Sequence, residues 1–242
     1  MAKSNSPTPG PAESSSIEKG GGRGATTSAE WITPQIRTLI LNAAIRPGER
    51  INVKGLEKRF GVSHIPIREA LRQLEAEGLV TLLPQRGAIA ARVSTEELED
   101  VYDLRRIIEP VVAGRAAERA TQADRDAVVA AMNRLDRLEL ADDPAFFEAH
   151  WDFHWSILKP GSTPEVERVV HQLWRTSERY IRLTRGTATD EAHHQHELMT
   201  GSLASGDSRA LSKYVSQHLT LTGEAIRALF EQRRDEYVGI QD

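Results

Sequence analysis

The chain has 242 residues, 39% hydrophobic and 27% charged, with a formal net charge of −4 and no cysteine. That length accommodates two domains of ordinary size, and the absence of cysteine excludes a disulfide framework and a thiolate metal site. No apolar run reaches the length of a membrane span and the N-terminus lacks the apolar core of a signal peptide, so a cytoplasmic protein without a membrane partner is expected.

Residues 1–28 are rich in Ser, Pro, Gly and Thr and poor in large apolar side chains. Such a segment cannot bury enough surface to offset its ordering entropy, so a disordered tail is expected there. Thr33-Pro34 then reads as a helix start, with proline in the first turn and a stripe of Ile36, Leu39, Ile40 and Ala43. Arg46-Pro47-Gly48-Glu49 is a turn. Val53, Leu56 and Phe60 mark a short helix, and Gly61-Val62-Ser63 a tight turn into the next one. In that next helix Ser63 is placed to cap the first amides, Pro66 falls in the first turn, and Gly78 sits where a left-handed C-terminal residue is wanted. Ile67, Ala70, Leu71 and Leu74 form its buried stripe, while His64, Arg68 and Arg72 line the opposite face at i, i+4 and i+8. Two helices joined by a short glycine-containing turn make a helix-turn-helix, and a basic helix pinned by one apolar stripe fits a major groove. Residues 79–83 and 88–93 read as paired strands, with Pro84-Gln85-Arg86-Gly87 as the turn and Arg86 at its tip, which adds a wing.

Charge follows the same division. Residues 29–93 hold 10 Lys or Arg against 6 Asp or Glu, a balance of +4, whereas residues 94–242 hold 18 against 27, a balance of −9. Contact with phosphates therefore belongs to the first folded domain.

The stretch GVSHIPIREALRQLEAEGLV, with PGERI before it and PQRGA after it, resembles the winged helix-turn-helix of GntR-family transcriptional regulators over roughly residues 31–93. The resemblance implies DNA contacts at Lys54, Ser63, His64, Arg68, Arg86 and Gly87. His64 stands where the family usually has Arg. Arginine reads guanine bidentately and histidine does not, so a different base preference is implied.

From Ser94 onward every segment reads as helix, and Ser94-Thr95-Glu96-Glu97 reads as a capping box. The expected spans are about 95–119, 122–140, 143–159, 163–186, 190–205 and 208–235. In the first, Leu98, Val101, Leu104, Ile108 and Val111 are expected inward, and Pro110 should kink the helix or free one carbonyl. Six helices with short connections predict an antiparallel bundle. The fold class is thus mainly α: a winged helix-turn-helix over 29–93, followed by an all-α antiparallel six-helix bundle over 94–242.

Seven of the eight histidines lie in the bundle. His150 and His154 are four apart and share a face with Phe147, Trp151 and Leu158. His196 is in register with Ala192, Met199 and Leu203, and His218 with Leu211, Val215, Leu221 and Ala225. All four rings are expected to point inward. Each alone reads more readily as a hydrogen-bonded core histidine than as a ligand. Converging, they form a ligand set suited to zinc, nickel, copper or iron. His193, one turn from His196, is a spare, and His171 has no identifiable partner.

The bundle resembles the FCD effector domain of the FadR-type branch of the same family. Metal-binding members carry Asp and then His four residues later on one helix, with two further His on the last two helices. His154 matches the first His, His196 with Met199, Leu203, Gly206 and Asp207 matches the second pattern, and His218 matches the last. His150 occupies the Asp position, and Asp152, about 200° around the helix from it, points away. The implied cofactor is a divalent transition ion, zinc first, with nickel or another as alternatives. With neutral ligands its charge is uncompensated, which favours an anionic effector. Arg105-Arg106-Ile107-Ile108-Glu109 is similar to the family's R-x-x-L-E stretch, which assigns Arg105 to the effector; the competing reading is an intrahelical Arg105–Glu109 pair. Arg175 and Arg179, with Arg182, are weaker effector candidates.

The sequence therefore predicts a ligand-responsive DNA-binding regulator, a repressor by family precedent. It would act as a homodimer on a palindromic double-stranded operator and respond to a small organic acid. Two alternatives stand beside it. One is a metal-free regulator binding an acyl-CoA-type effector. The other is a metal-dependent enzyme. Against the enzyme, Thr200 breaks a zincin His-Glu-x-x-His at His196, Glu191 and His194 make only one Glu-x-x-His pair, and no inward carboxylate accompanies the histidines.

Overall fold

A computed structural model of the protein describes residues 28–138, 144–184 and 190–233. In chain order the elements are α1 (Ser28–Leu41), α2 (Val53–Phe60), α3 (His64–Ala76), β1 (Val80–Leu83) and β2 (Gly87–Ala90). There follow α4 (Thr95–Arg119), α5 (Gln122–Leu135), α6 (Pro144–Leu158), a 3-10 turn at Lys159–Gly161, α7 (Pro164–Thr184), α8 (Asp190–Ser205) and α9 (Ser208–Gln232). The tail expected over 1–28 lies outside the described residues apart from Ser28, which opens α1. The expected helix ends at 139–140, 143, 185–186 and 234–235 lie outside them too.

Two apolar cores form. One joins α1, α2, α3 and the wing through Ile32, Ile36, Leu56, Ile67, Leu71, Leu74 and Ala88. The other begins at Val93 and fills the bundle, with Phe153, Tyr180, Leu203 and Phe230 at its centre. Helix α1 starts five residues before the expected Thr33-Pro34. Its buried stripe extends back to Ile32 and Ala29, and burial of these side chains outweighs the single amide that Pro34 removes from inside the helix.

Helix α3 ends as its glycine foretells. Gly78 has φ +76°. The Leu79 amide bonds to the Leu74 carbonyl at 2.9 Å and the Gly78 amide to the Glu75 carbonyl at 2.9 Å, a Schellman closure. The start differs from expectation: the Ser63 side chain makes no capping bond. Strands β1 and β2 are antiparallel, with Val80 opposite Ala90 and Leu83 opposite Gly87. Gly87 thus opens the second strand instead of closing the turn, and Arg50 adds a bridge to Ile89.

Helix α4 is the spine of the bundle. Leu98 and Val101 are buried and Ile108 packs against the core as expected, but two residues expected inward are not. Leu104 and Val111 are 47% and 59% exposed, and Ile107 is 67% exposed. The buried set is Tyr102, Arg105, Glu109, Val112, Ala113 and Ala116. Small residues on this face let other backbone approach: a Cβ on Gly161 would lie 2.1 Å from the Val112 carbonyl oxygen. The helix continues through buried Pro110, which deprives the Arg106 carbonyl of its intrahelical amide. Only half of the expected capping box forms. The Glu97 amide donates to Ser94 Oγ at 3.1 Å, but the Glu97 carboxylate turns to Arg179 and Tyr180 on α7. On α9, Leu221 and Ala225 sit at the edge of the inward face, whose centre is Val215, His218, Thr222 and Ile226.

Candidate metal centre and nucleic-acid interface

The reader surface is a groove of about 540 Å³ between α3 and the wing, lined by residues that include His64, Arg68, Arg72, Gln85 and Gly87. Lys54, Ser63, His64, Arg68, Arg72, Arg86 and Gly87 are all exposed. Lys54, Arg68, Arg72 and Arg86 make no ion pair among the described residues, so their charges face outward. His64 is anchored: its Nδ1 lies 2.9 Å from Glu57 Oε1 on α2, which leaves Nε2 facing outward. Beside it Ile65 is 68% exposed at the start of α3, an apolar contact surface that the hydrophobic stripe did not reveal.

In the bundle, α6 brings His150 and His154, α8 His196, and α9 His218 to one place. All four are buried, and each offers one ring nitrogen such that these atoms lie within 4.8 Å of one another. The Nε2 atoms of His150 and His154 are 3.0 Å apart. For metal–nitrogen bonds of about 2.0–2.1 Å, nitrogens sharing an ion stand roughly 3.0–3.4 Å apart. Burial drives the His150, His154 and His218 pKa values well below the usual imidazole range, with the neighbouring rings and Arg105 adding to the effect. Burial, and then His193, lowers His196 to about 3. All four are therefore neutral near pH 7, with lone pairs available. His150 Nδ1, His196 Nε2 and His218 Nδ1 are buried without a hydrogen-bond partner among the described residues. Buried polar atoms in a native core are ordinarily satisfied. A transition ion supplies what this donor set lacks, so the residues present fit one.

The arginines divide. Arg105 is 2% exposed and faces the cluster. Its Nε donates to Glu109 Oε1 at 2.6 Å and its Nη2 to Oε2 at 3.4 Å, while its guanidinium lies 5.1 Å from the Tyr102 ring and 5.2 Å from the Trp174 ring. The Arg–Glu pair and the inward orientation thus coexist: Glu109 is a buried carboxylate held by Arg105, and the histidine cluster itself includes no carboxylate among the described residues. Arg175 is half-buried and bonds to Gln172 at 3.2 Å. Arg179 is at a different place: it is buried, paired with Glu97, and donates to the Gly78 carbonyl at 3.4 Å, at the closure of α3. Arg182 likewise reaches the reader, donating to Asn42 Oδ1, just past α1, at 3.3 Å. His193 does not join the cluster; its half-exposed ring lies 3.4 Å from Asp136. Asp152 points away, to Arg134 at 2.9 Å. His171 packs edge-on against Trp151 and Trp155, at 4.5 and 4.9 Å.

Periodicity alone missed Trp174. Its ring lies 5.2 Å from His150 and 5.4 Å from His154, walling one side of the cluster. The signal was its register with Val170, Ser177 and Ile181, which are also buried.

Comparison with known proteins agrees with both halves. Residues 29–89 match the bacterial regulatory proteins of the gntR family, and residues 100–221 match the FCD domain. The chain is 29% identical over 191 residues to the HTH-type transcriptional repressor GlaR of Escherichia coli (strain K12), covering 74% of this chain and 87% of that protein. It is 30% identical over 176 residues to the Nta operon transcriptional regulator of Aminobacter aminovorans, covering 72% and 82%. Among solved structures, E. coli McbR/YncC has a TM-score of 0.70 at 18% identity and covers 86% of this chain and 99% of its own; at that identity the likeness concerns fold alone. The chain belongs to the gntR family of bacterial regulatory proteins, in the FadR-type branch that carries an FCD domain, and is a DNA-binding transcriptional regulator, not an enzyme.

Proposed function

We propose that His150, His154, His196 and His218 hold one divalent transition ion, zinc first or nickel, and that a small organic acid bound against it changes the chain's affinity for its operator. The observation that carries this reading is the convergence of four buried, neutral imidazoles, three of which hold a ring nitrogen without a partner among the described residues. When bound, the ion supplies positive charge and a coordination position for a carboxylate oxygen. The protein's residues supply orientation. Glu109 occupies the Nε and Nη2 edge of Arg105 and Tyr102 is a further hydrogen-bond partner of its guanidinium, so a ligand carboxylate would share Arg105 with both. The positive charge of Arg105 reaches the cage, and with neutral imidazole ligands an ion there keeps its own charge, which together favour an anion. Trp174 closes the wall and limits the ligand's size. A metal-free acyl-CoA site is the weaker reading, because it leaves the ring nitrogens unsatisfied in a dry core.

At the other end, a homodimer would set two α3 helices in successive major grooves of a palindromic operator. Arg68 and Arg72 would supply base or phosphate contacts, Lys54, Ser63, Arg86 and Gly87 would contact the backbone and adjacent groove, and His64 would read through Nε2. Repression follows the relatives' printed roles. A ligand shifts DNA binding only if it prefers one arrangement of the reader. Helix α7 provides a physical link: Trp174 touches the cage, and Arg179, five residues on, bonds to the C-terminal closure of α3.

Elemental analysis of protein purified without a histidine tag tests the cage. About one transition ion per chain is expected. The His154→Ala/His196→Ala variant should hold none while keeping its helical circular dichroism. A wild type that takes up no zinc or nickel on loading would sink the assignment.

A further inference from the structure

Helix α2 closes with the Gly61 amide on the Glu57 carbonyl at 2.9 Å, and the short turn through Gly61 sets its last turn beside the start of α3. Glu57 and His64, seven residues apart, meet there: His64 Nδ1 lies 2.9 Å from Glu57 Oε1. A carboxylate accepts and does not donate, so a neutral imidazole held this way carries its proton on Nδ1 and its lone pair on Nε2. An arginine at this position would bring donors alone, which suit the N7 and O6 acceptors of guanine. An acceptor needs a base that donates. On the major-groove edge the donors are the 6-amino group of adenine and the 4-amino group of cytosine. Ile65 decides between them. It is 68% exposed, and at 100° per residue His64, Ile65, Arg68 and Arg72 fall within about 100° of one another, so it shares the basic side of α3. Its counterpart on a major-groove edge is the C5-methyl group of thymine. An A·T pair carries both the amino group and the methyl group, and a G·C pair has no methyl.

We infer that the first turn of α3 reads an A·T pair, His64 Nε2 accepting from the 6-amino group of adenine and Ile65 packing on the methyl group of thymine, with Glu57 holding the imidazole in the tautomer that makes Nε2 an acceptor. This rests on the reading of α3 as the groove-entering helix and names the base pair that its first turn selects. Glu57 is a positioning residue: it acts on the base through His64. The pair of residues thus exchanges a donor position for an acceptor position, and the operator changes with it.

Selection of operators from random duplexes with the full chain, at pH 8 and so above the ordinary imidazole range, tests this. The wild type is expected to select an A·T pair at the half-site position that His64→Arg converts to G·C. Replacing that adenine by unsubstituted purine, which lacks the 6-amino group, should weaken wild-type binding about three- to tenfold in fluorescence anisotropy. The same replacement should leave the affinity of His64→Ala within about twofold. Replacing the thymine by deoxyuridine, which lacks the methyl group, should weaken the wild type about threefold and Ile65→Ala hardly at all. Glu57→Gln can donate to Nδ1 and so release the other tautomer; it should lose the discrimination between adenine and purine, with melting temperature unchanged. A merely structural Glu57 would weaken all duplexes alike. A wild type that selects G·C at that position, or an equal loss on purine replacement in wild type and His64→Ala, overturns the base assignment; if Arg68→Ala still weakens binding, the groove reading of α3 stands. A Glu57→Gln chain that discriminates as the wild type does overturns the role of the carboxylate. A wild type that selects no sequence overturns both the base assignment and the groove reading.

Discussion

A buried imidazole gives up its charge before it gives up its lone pair, and four do so together in this bundle. Each has its pKa lowered, chiefly by burial, whereas in the unfolded chain each takes a proton near pH 6.5. Below that pH the unfolded state binds more protons than the folded one, so stability falls as pH falls. In chelator-treated protein this stability is complete above about pH 6.5 and is lost below it, at up to about 1.4 kcal/mol per pH unit for each ring. The melting temperature should therefore be lower at pH 5.5 than at pH 7.5; a flat or inverted profile contradicts the burial argument. On the reader, Arg68 faces the groove with no ion pair among the described residues. Arg68→Ala should weaken binding to an operator selected from random duplexes by about 1–3 kcal/mol, as read by fluorescence anisotropy, and unchanged affinity would remove Arg68 from the interface. The inward histidines were legible because i, i+4 spacing and apolar neighbours place them without further information. Leu104 and Val111 were not, because an apolar stripe does not say whether its partner is the same chain. Nor did sequence show that Arg105 and Glu109 would neutralise each other well enough for both to be buried.

Helix boundaries were legible where backbone chemistry fixes them, as at Gly78 and at Asp207, whose carboxylate caps α9 through the Ala210 amide. They were less so at α1, where Ile32 and Ala29 pack against the reader core and override the proline signal. The role of α7 was not legible at all. Its residues read as an ordinary amphipathic helix, yet it touches the cage through Trp174, the reader through Arg179 and Arg182, and the junction between them through the Tyr180 hydroxyl, which accepts from the Ser94 amide at 3.1 Å. If this helix carries the signal, Arg179→Ala should leave zinc affinity within about twofold of wild type. It should cost about 1–3 kcal/mol of stability and should diminish the change in duplex affinity that zinc and ligand produce. Titrations of labelled duplex with and without zinc read this directly. Coupling equal to that of wild type would exclude the Arg179–Gly78 contact as a route.

Across the whole molecule, charge and packing divide the labour. The basic segment over 29–93 exposes Arg68 and Arg72 along one groove, and the acidic bundle over 94–242 turns four of its seven histidines inward. No helix among the described residues is long and apolar enough to cross a membrane. The two cores meet at Ser94 and α7, so a change inside the bundle has a short path to α3. The central claim is that the four imidazoles enclose one transition ion. Anomalous scattering from crystals of zinc-loaded, untagged protein, recorded at the zinc absorption edge, measures that claim most directly. The account predicts a single strong peak per chain within about 2.3 Å of a ring nitrogen of each of His150, His154, His196 and His218. No peak there, or a peak only at surface histidines such as His193 and His194, would contradict it.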